Sequence, residues 1–247
     1  MKQVIRAQYR AVLKQGISEA KFRQAAEVCR AKMDKEAKAE NLLTGGIFRH
    51  ENLLFLYMEY ICDWEENGNR EIKLARQDCI EKLPDKWFSC MSPFLHTWQE
   101  LSGERCWAYM YPVFWFDTPK DLETWRRREN PEGRCGRIAV LYPDKLFSYV
   151  CHHQAIVEEG LLVGDRYQMI SLHENLLFSY FETPRDREQV NIRRLDEASR
   201  EIEKWEAADP ESHFYHFPEA RGENFLVIET VVDVGVQGKQ WIAGITS

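Results

Sequence analysis

A ten-residue signature occurs twice in this chain, and no other feature limits its folding as strongly. His50-Glu-Asn-Leu-Leu-Phe-Leu-Tyr-Met-Glu59 and His173-Glu-Asn-Leu-Leu-Phe-Ser-Tyr-Phe-Glu182 differ at two of ten positions and lie 123 residues apart in a chain of 247. A spacing of half the chain is what duplication and fusion of one structural unit produces. The fold therefore has to be one that a half-length unit can build twice. With 44% hydrophobic and 13% aromatic residues, the chain can bury two ordinary cores or one large one.

The order of elements within a half defines the unit. Val4 to Leu13 reads as a strand broken by Gly16. Ser18 is placed to cap a long helix whose apolar stripe is Phe22, Ala26, Cys29, Met33 and Ala37, ending near Asn41. Gly45-Gly46 is expected to turn the chain into a short strand from Ile47 to Arg49, and His50-Glu-Asn52 turns tightly into a strand from Leu53 to Ile61. A helix from Arg70 to Lys82, a Trp-rich connection from Trp87 to Trp98 and a strand from Cys106 to Phe116 complete the first half. Strand-helix-strand-strand-helix-strand is the ferredoxin-like order. The second half repeats it: a strand from Arg137 to Tyr142, a helix from Pro143-Asp144 to Glu159, strands Arg166 to Leu172 and Leu176 to Phe181, a helix from Asn191 to Ala207 and a strand from Phe225 to Val234.

The predicted organisation is a first unit over residues 1–117, a charged linker over 118–135 with a short helix from Asp121 to Arg128, and a second unit over 136–247. The tail beyond Gly235 keeps Trp241 and Ile242 and has no assigned place. A four-stranded sheet with both helices on one face leaves its other face apolar and uncovered. Two such units can cover each other, so the expected fold class is α+β: two tandem ferredoxin-like units forming an intramolecular dimeric α+β barrel. That is a monomeric pseudo-dimer, with further association into a homodimer left open.

The net charge of −7, from 33 basic and 40 acidic residues spread along the chain, offers no basic stripe for a phosphate backbone, so nucleic acid is not an expected partner. Neither an apolar signal segment nor a run of about 18 apolar residues is present, and a soluble cytoplasmic protein without a membrane partner is expected. Seven cysteines, an odd number without Cys-x-x-Cys spacing, argue against a disulfide framework and read mostly as small buried hydrophobes. His213-Phe-Tyr-His216 on an extended segment would point its rings to opposite faces, so no metal is expected.

On the second-half helix Leu146, Tyr149, Val150, His153, Ile156 and Val157 form one stripe, with His153 on its buried side and His152 off it. A core histidine bonded to a backbone carbonyl is the plainer reading. The functional one rests on Tyr149, one turn earlier, which brings a hydroxyl beside an imidazole able to exchange protons near neutrality. Pro143-Asp144, Tyr149, His153, Ile156, Glu159, Tyr167, Asn175-Leu-Leu-Phe178 and Glu182 together resemble the L-rhamnose mutarotase family, over Arg137 to Glu182 and more weakly to Trp205.

The resemblance implies an isomerase on a dimeric α+β barrel that interconverts the α and β anomers of a monosaccharide such as L-rhamnose without metal or cofactor. It implies His153 as proton donor, Tyr149 and Tyr167 as partners of sugar hydroxyls, and Trp205 as the cover of an apolar sugar face. The family has a second tryptophan where Glu206 stands here. In the first half, Ala25 or Ala26 falls at the position of His153 and Lys21 or Phe22 at that of Tyr149, which places the expected site in the second half. Trp87-Phe88 resembles a remnant of the aromatic pair. Phe178, Tyr180 and Glu182 share one strand face, as do Phe55, Tyr57 and Glu59. Glu182 reads either as a rim carboxylate or as one that orients a sugar hydroxyl. One geometric difficulty is visible: His153 faces the helix side of its sheet, whereas a barrel interior lies on the other side. Two further readings stand. One is a cofactor-free monooxygenase or haem-handling protein, which needs a deep apolar pocket. The other is a non-catalytic carbohydrate-binding or regulatory protein.

Overall fold

The computed structural model describes residues 2–63, 80–100, 103–185, 191–192 and 198–235. Eight strands carry the fold: β1 (Lys2–Val12), β2 (Leu42–His50), β3 (Leu53–Asp63), β4 (Ala108–Trp115), β5 (Gly133–Leu141), β6 (Met169–His173), β7 (Leu176–Thr183) and β8 (Leu226–Gly235). They pair antiparallel in the order β7-β6-β4-β1-β3-β2-β8-β5, and β5 pairs again with β7. The result is a mixed α+β protein built on a closed eight-stranded barrel, and closure leaves none of these strands as an open edge. Helices α1 (Glu19–Lys38), α3 (Leu146–Glu159) and α4 (Arg200–Ala207) pack outside it. The short helix α2 (Leu122–Trp125) buries Leu122 and Trp125 against Val4, Leu43 and Ile61 at one barrel end.

The period of two along each strand divides the side chains. On β3, Leu54, Leu56 and Met58 join the core under α1, while Phe55 and Tyr57 join the core of the barrel lumen. On β7, Leu177 faces α3 and α4, while Phe178 and Tyr180 face inward. An eight-stranded barrel is about wide enough for its own side chains to fill. Phe48, Phe55, Met110, Ile138, Met169 and Phe178 fill this one. α1 follows from its sequence: Ser18 Oγ accepts from the Lys21 amide at 3.4 Å, and Phe22, Ala26, Cys29, Met33 and Ala37 are buried.

The two copies of the signature adopt the same local geometry. Each His-Glu-Asn stretch is a tight turn with its glutamate in the left-handed region, Glu51 at φ 52° and Glu174 at φ 55°. The amides of Leu13 and Leu141 donate to the carbonyls of Asn52 and Asn175 at 2.8 and 2.9 Å. Arg6 pairs in register with Glu59, and Arg134 with Glu182.

Several boundaries differ from the sequence reading. β2 runs straight through Gly45-Gly46 instead of turning there, because a glycine is what lets the Phe48 ring lie across the lumen: a Cβ on Gly46 would stand 2.8 Å from that ring. The linker helix shrinks to Leu122–Trp125, and β5 begins at Gly133, before the expected end of the linker. Asn191–Ile192 pairs with Leu162–Val163 as strand, and α4 starts only at Arg200, after its Ser199 cap. The expected helix from Arg70 to Lys82 lies mostly outside the described residues, which show its continuation over 80–87, and Trp241 and Ile242 also lie outside them. No helix among the described residues is long and apolar enough to cross a membrane.

Gly136 on β5 is the tightest point of the lumen, since a Cβ there would meet Phe48 Cγ at 2.7 Å and Phe178 Cε2 at 2.8 Å. Gly136→Ala is expected to lower stability by about 1–3 kcal/mol through overpacking. Denaturant midpoints indistinguishable from wild type would show that the lumen is not filled in this way.

Candidate functional site at the barrel mouth

The inward faces of β3 and β7 meet along the barrel axis, so corresponding residues of the two signatures become partners. Phe55 stacks on Phe178 with centroids 4.9 Å apart and 18° between the planes; Tyr57 stacks on Tyr180 at 3.6 Å and 5°. One step further out, Glu59 and Glu182 face each other at the mouth. Each tyrosine donates to the carboxylate two residues on, Tyr57 to Glu59 at 2.6 Å and Tyr180 to Glu182 at 2.7 Å.

Arg127, just beyond α2, lies between the two carboxylates. Its Nε donates to Glu182 Oε1 at 3.1 Å, its Nη2 to Glu182 Oε1 at 2.6 Å and to Glu59 Oε1 at 3.0 Å, and its Nη1 to Glu59 Oε2. The guanidinium lies 3.7 Å from the centroid of the Tyr167 ring. Arg6 donates to Tyr57 Oη at 3.0 Å and to the carbonyls of Asp117 and Tyr167. Arg134, at the corresponding place on β5, donates to Asp233 at 2.7 Å and approaches Glu182 at 3.8 Å. Burial alone would push Glu59 upward, but Arg127 holds it below the ordinary carboxylate range. Burial would likewise lower Arg127, and the carboxylates of Glu59 and Glu182 outweigh it and raise it. Tyr57 and Tyr180 are pushed well above a normal phenol, mainly by burial.

Outside this network the mouth opens into a cavity of about 740 Å³. Its inner wall is Arg127, Tyr167 and Glu182, and its rim includes Arg126, Arg128 and Arg166. Tyr167 is held by a hydrogen bond from its hydroxyl to the Trp125 carbonyl at 3.2 Å and by edge-to-face packing on Trp125. Arg166 lies 4.7 Å from the Trp125 ring and pairs with Asp117 at 3.4 Å. The cavity therefore sets guanidinium groups backed by aromatic rings beside the carboxylates of Glu123, Glu129, Asp165 and Glu182. Among the described residues no cluster of His, Cys, Asp and Glu is arranged to hold a metal ion. His213 bonds through both ring nitrogens, to the Asp209 carbonyl at 3.1 Å and Ser148 Oγ at 3.0 Å, while His216 lies 3.9 Å from Glu211.

The five residues singled out from sequence fall into two places. Tyr167 and Glu182 stand together at the mouth. Tyr149, His153 and Trp205 form a separate cluster outside the barrel, between α3, α4 and the sheet. His153 stacks on Tyr149 at 3.8 Å, packs edge-on to Trp205 at 4.8 Å and bonds through Nδ1 to the Tyr149 carbonyl at 2.9 Å. None of the three lines the mouth cavity. Although an edge of His153 reaches the surface, its apolar surroundings lower its pKa to about 4, so the imidazole is neutral near pH 7. Sequence reasoning missed Arg127, Arg6 and Arg134; the registers of β1 and β5 against the repeated glutamates are the signal that finds the last two.

No protein-family model and no curated protein matches this sequence. Among solved structures, the chain is similar to a provisionally assigned monooxygenase from Lactobacillus acidophilus, with 7% identity, coverage of 95% of this chain and 97% of that one, and a TM-score of 0.43. It is also similar to a provisionally assigned monooxygenase from Fusobacterium nucleatum (10% identity, 96% of each chain, TM-score 0.41). An anthrone oxidase-like protein gives 11% identity, 96% and 98% coverage and a TM-score of 0.36. These are not sugar mutarotases. The resemblance to L-rhamnose mutarotase, and with it the isomerase activity on rhamnose, is corrected by these neighbours. The physical reason is that the histidine, tyrosine and tryptophan the resemblance relied on lie on the helix side of the sheet, with Tyr167 and Glu182 at the barrel mouth.

Two outcomes test this geometry. Arg127→Met strands two buried carboxylates and is expected to cost about 3–5 kcal/mol, much of it recovered when Glu59→Gln and Glu182→Gln are added; a single variant as stable as wild type in urea contradicts the network. For His153, the folded pKa is lower than the unfolded one. Its contribution is complete above about pH 6.5 and is lost as pH falls toward 4. Discounted for its exposed edge, the loss between pH 7 and pH 5 should be about 1–2 kcal/mol, and His153→Phe should remove that part of the slope. Equal slopes in both proteins count against the assignment.

Proposed function

We propose that the barrel mouth binds a small, flat organic acid, such as an aromatic carboxylate or an acidic phenol or enol, and that this binding is the basis of the protein's function. The observation that supports the proposal is the 740 Å³ cavity, where Arg166 lies against the Trp125 ring and exposed Arg128 stands at the rim beside Tyr167, while Arg127 behind them is committed to Glu59 and Glu182. Such a wall recognises planar acceptors by charge-assisted hydrogen bonds and stacking. Oxygen chemistry on the bound molecule, a cofactor-independent monooxygenase or oxidase activity, is the second reading. The same arginine wall favours it, because holding an acidic phenol or enol as its anion is what direct reaction with dioxygen requires.

We also infer that the barrel consists of two fused ferredoxin-like units, 1–117 and 136–247, joined by 118–135, whose last residues enter β5. The support is the order β4-β1-β3-β2 in one half and β8-β5-β7-β6 in the other, with equivalent registers at Arg6–Glu59 and Arg134–Glu182. The chain thus supplies both halves of its barrel as a monomeric pseudo-dimer.

Calorimetry with aromatic carboxylates and their neutral methyl esters tests the binding proposal. The acids should bind and the esters bind at least tenfold more weakly, and Arg166→Ala should weaken the acids about tenfold or more. Equal affinity for acid and ester refutes it. Ligand-dependent oxygen uptake by the protein alone separates the oxygenase reading from simple binding.

A further inference from the structure

Cys29 on α1 and Cys90, in the turn that leads toward β4, bring their sulfurs to 3.5 Å of each other. Cys29 is buried in the core under α1, in the same cluster as Met33 and Phe88, whereas Cys90 is half-buried and reachable from solvent, its Sγ also 3.9 Å from the Ala25 carbonyl. A disulfide requires the sulfurs to close to about 2.05 Å, a small movement from contact distance. The asymmetry between the two supplies an order of events. An exposed thiol is the one an oxidant reaches, and a buried neighbour in contact is placed to resolve the adduct.

We propose that Cys29 and Cys90 form a reversible redox pair that joins α1 to the connection entering β4. With a small-molecule disulfide as oxidant, the Cys90 thiolate attacks one sulfur, forming a mixed disulfide and releasing one thiolate. Cys29 Sγ then attacks Cys90 Sγ and expels the second small thiolate, which takes up the Cys29 proton as it leaves. In sum, two protein thiols are oxidised to one intramolecular disulfide and the small disulfide is reduced to two thiols. Burial pushes the Cys29 thiol up, so the second step is the slower one and is favoured by contact rather than by acidity. This pair departs from the sequence expectation that the cysteines are mostly inert hydrophobes.

The test is to incubate the reduced full-length protein with oxidised glutathione and map its cysteines by mass spectrometry without reduction. Exposed Cys151 on α3 serves as the internal control for the reagent. The expected result is a glutathione adduct on Cys151 together with a Cys29–Cys90 cross-linked peptide that a reductant removes. Cys29→Ala should instead retain glutathione on Cys90, and Cys90→Ala should leave Cys29 unmodified. Modification of Cys151 with Cys29 and Cys90 still reduced overturns the proposal, as does a persistent adduct on Cys90 in the wild type. Because the wild-type map is decisive alone, a variant that fails to fold does not rescue it.

Discussion

A buried cation held between two buried carboxylates is the constraint on which the barrel mouth depends. Glu59 and Glu182 face each other because barrel closure brings β3 and β7 together, and two carboxylates so deeply buried repel strongly unless a positive charge lies between them. Arg127 supplies that charge from the segment between β4 and β5. The connection is therefore held by the barrel end it covers, and α2 with Trp125 and the Tyr167 ring is fixed around it. Arg6 adds a donor to Tyr57 Oη, and Arg134, at the matching position on β5, adds a positive charge 3.8 Å from Glu182.

The same arrangement separates rigidity from accessibility. The centre of the lumen is filled by aromatic pairs, and outside the Arg127 network lies the mouth cavity, lined by Arg126, Arg127, Arg128 and Arg166, by Tyr167, and by the carboxylates of Glu123, Glu129, Asp165 and Glu182. The cavity walls are polar with aromatic backing, and a ligand there is recognised by charge and shape together.

How far the site was legible follows from particular residues. The alternation Phe55, Tyr57, Glu59 and its copy Phe178, Tyr180, Glu182 marked one strand face each, and that face became the lumen. His153 and Tyr149 were read as one helical stripe, and the plainer reading of a histidine bonded to a backbone carbonyl is met by the carbonyl of Tyr149. The chemistry assigned to them needed more than that, because a helical stripe tells which side is buried but not against which face of the sheet a cavity opens. Arg127 lay in a charged segment that reads as solvated linker, and nothing local distinguishes it from Arg126 or Arg128.

The sequence by itself determined the elements, the two matching turns and the inward and outward faces of the repeated strands, because these depend on spacing and on residues adjacent in the chain. Only the tertiary structure decided that the two faces stack on each other, that one arginine between β4 and β5 neutralises both glutamates, and that the 740 Å³ cavity lies at the mouth and is not lined by His153. Those outcomes depend on contacts between residues tens to more than a hundred positions apart, and on which of them barrel closure leaves without water; local pattern carries no information about either.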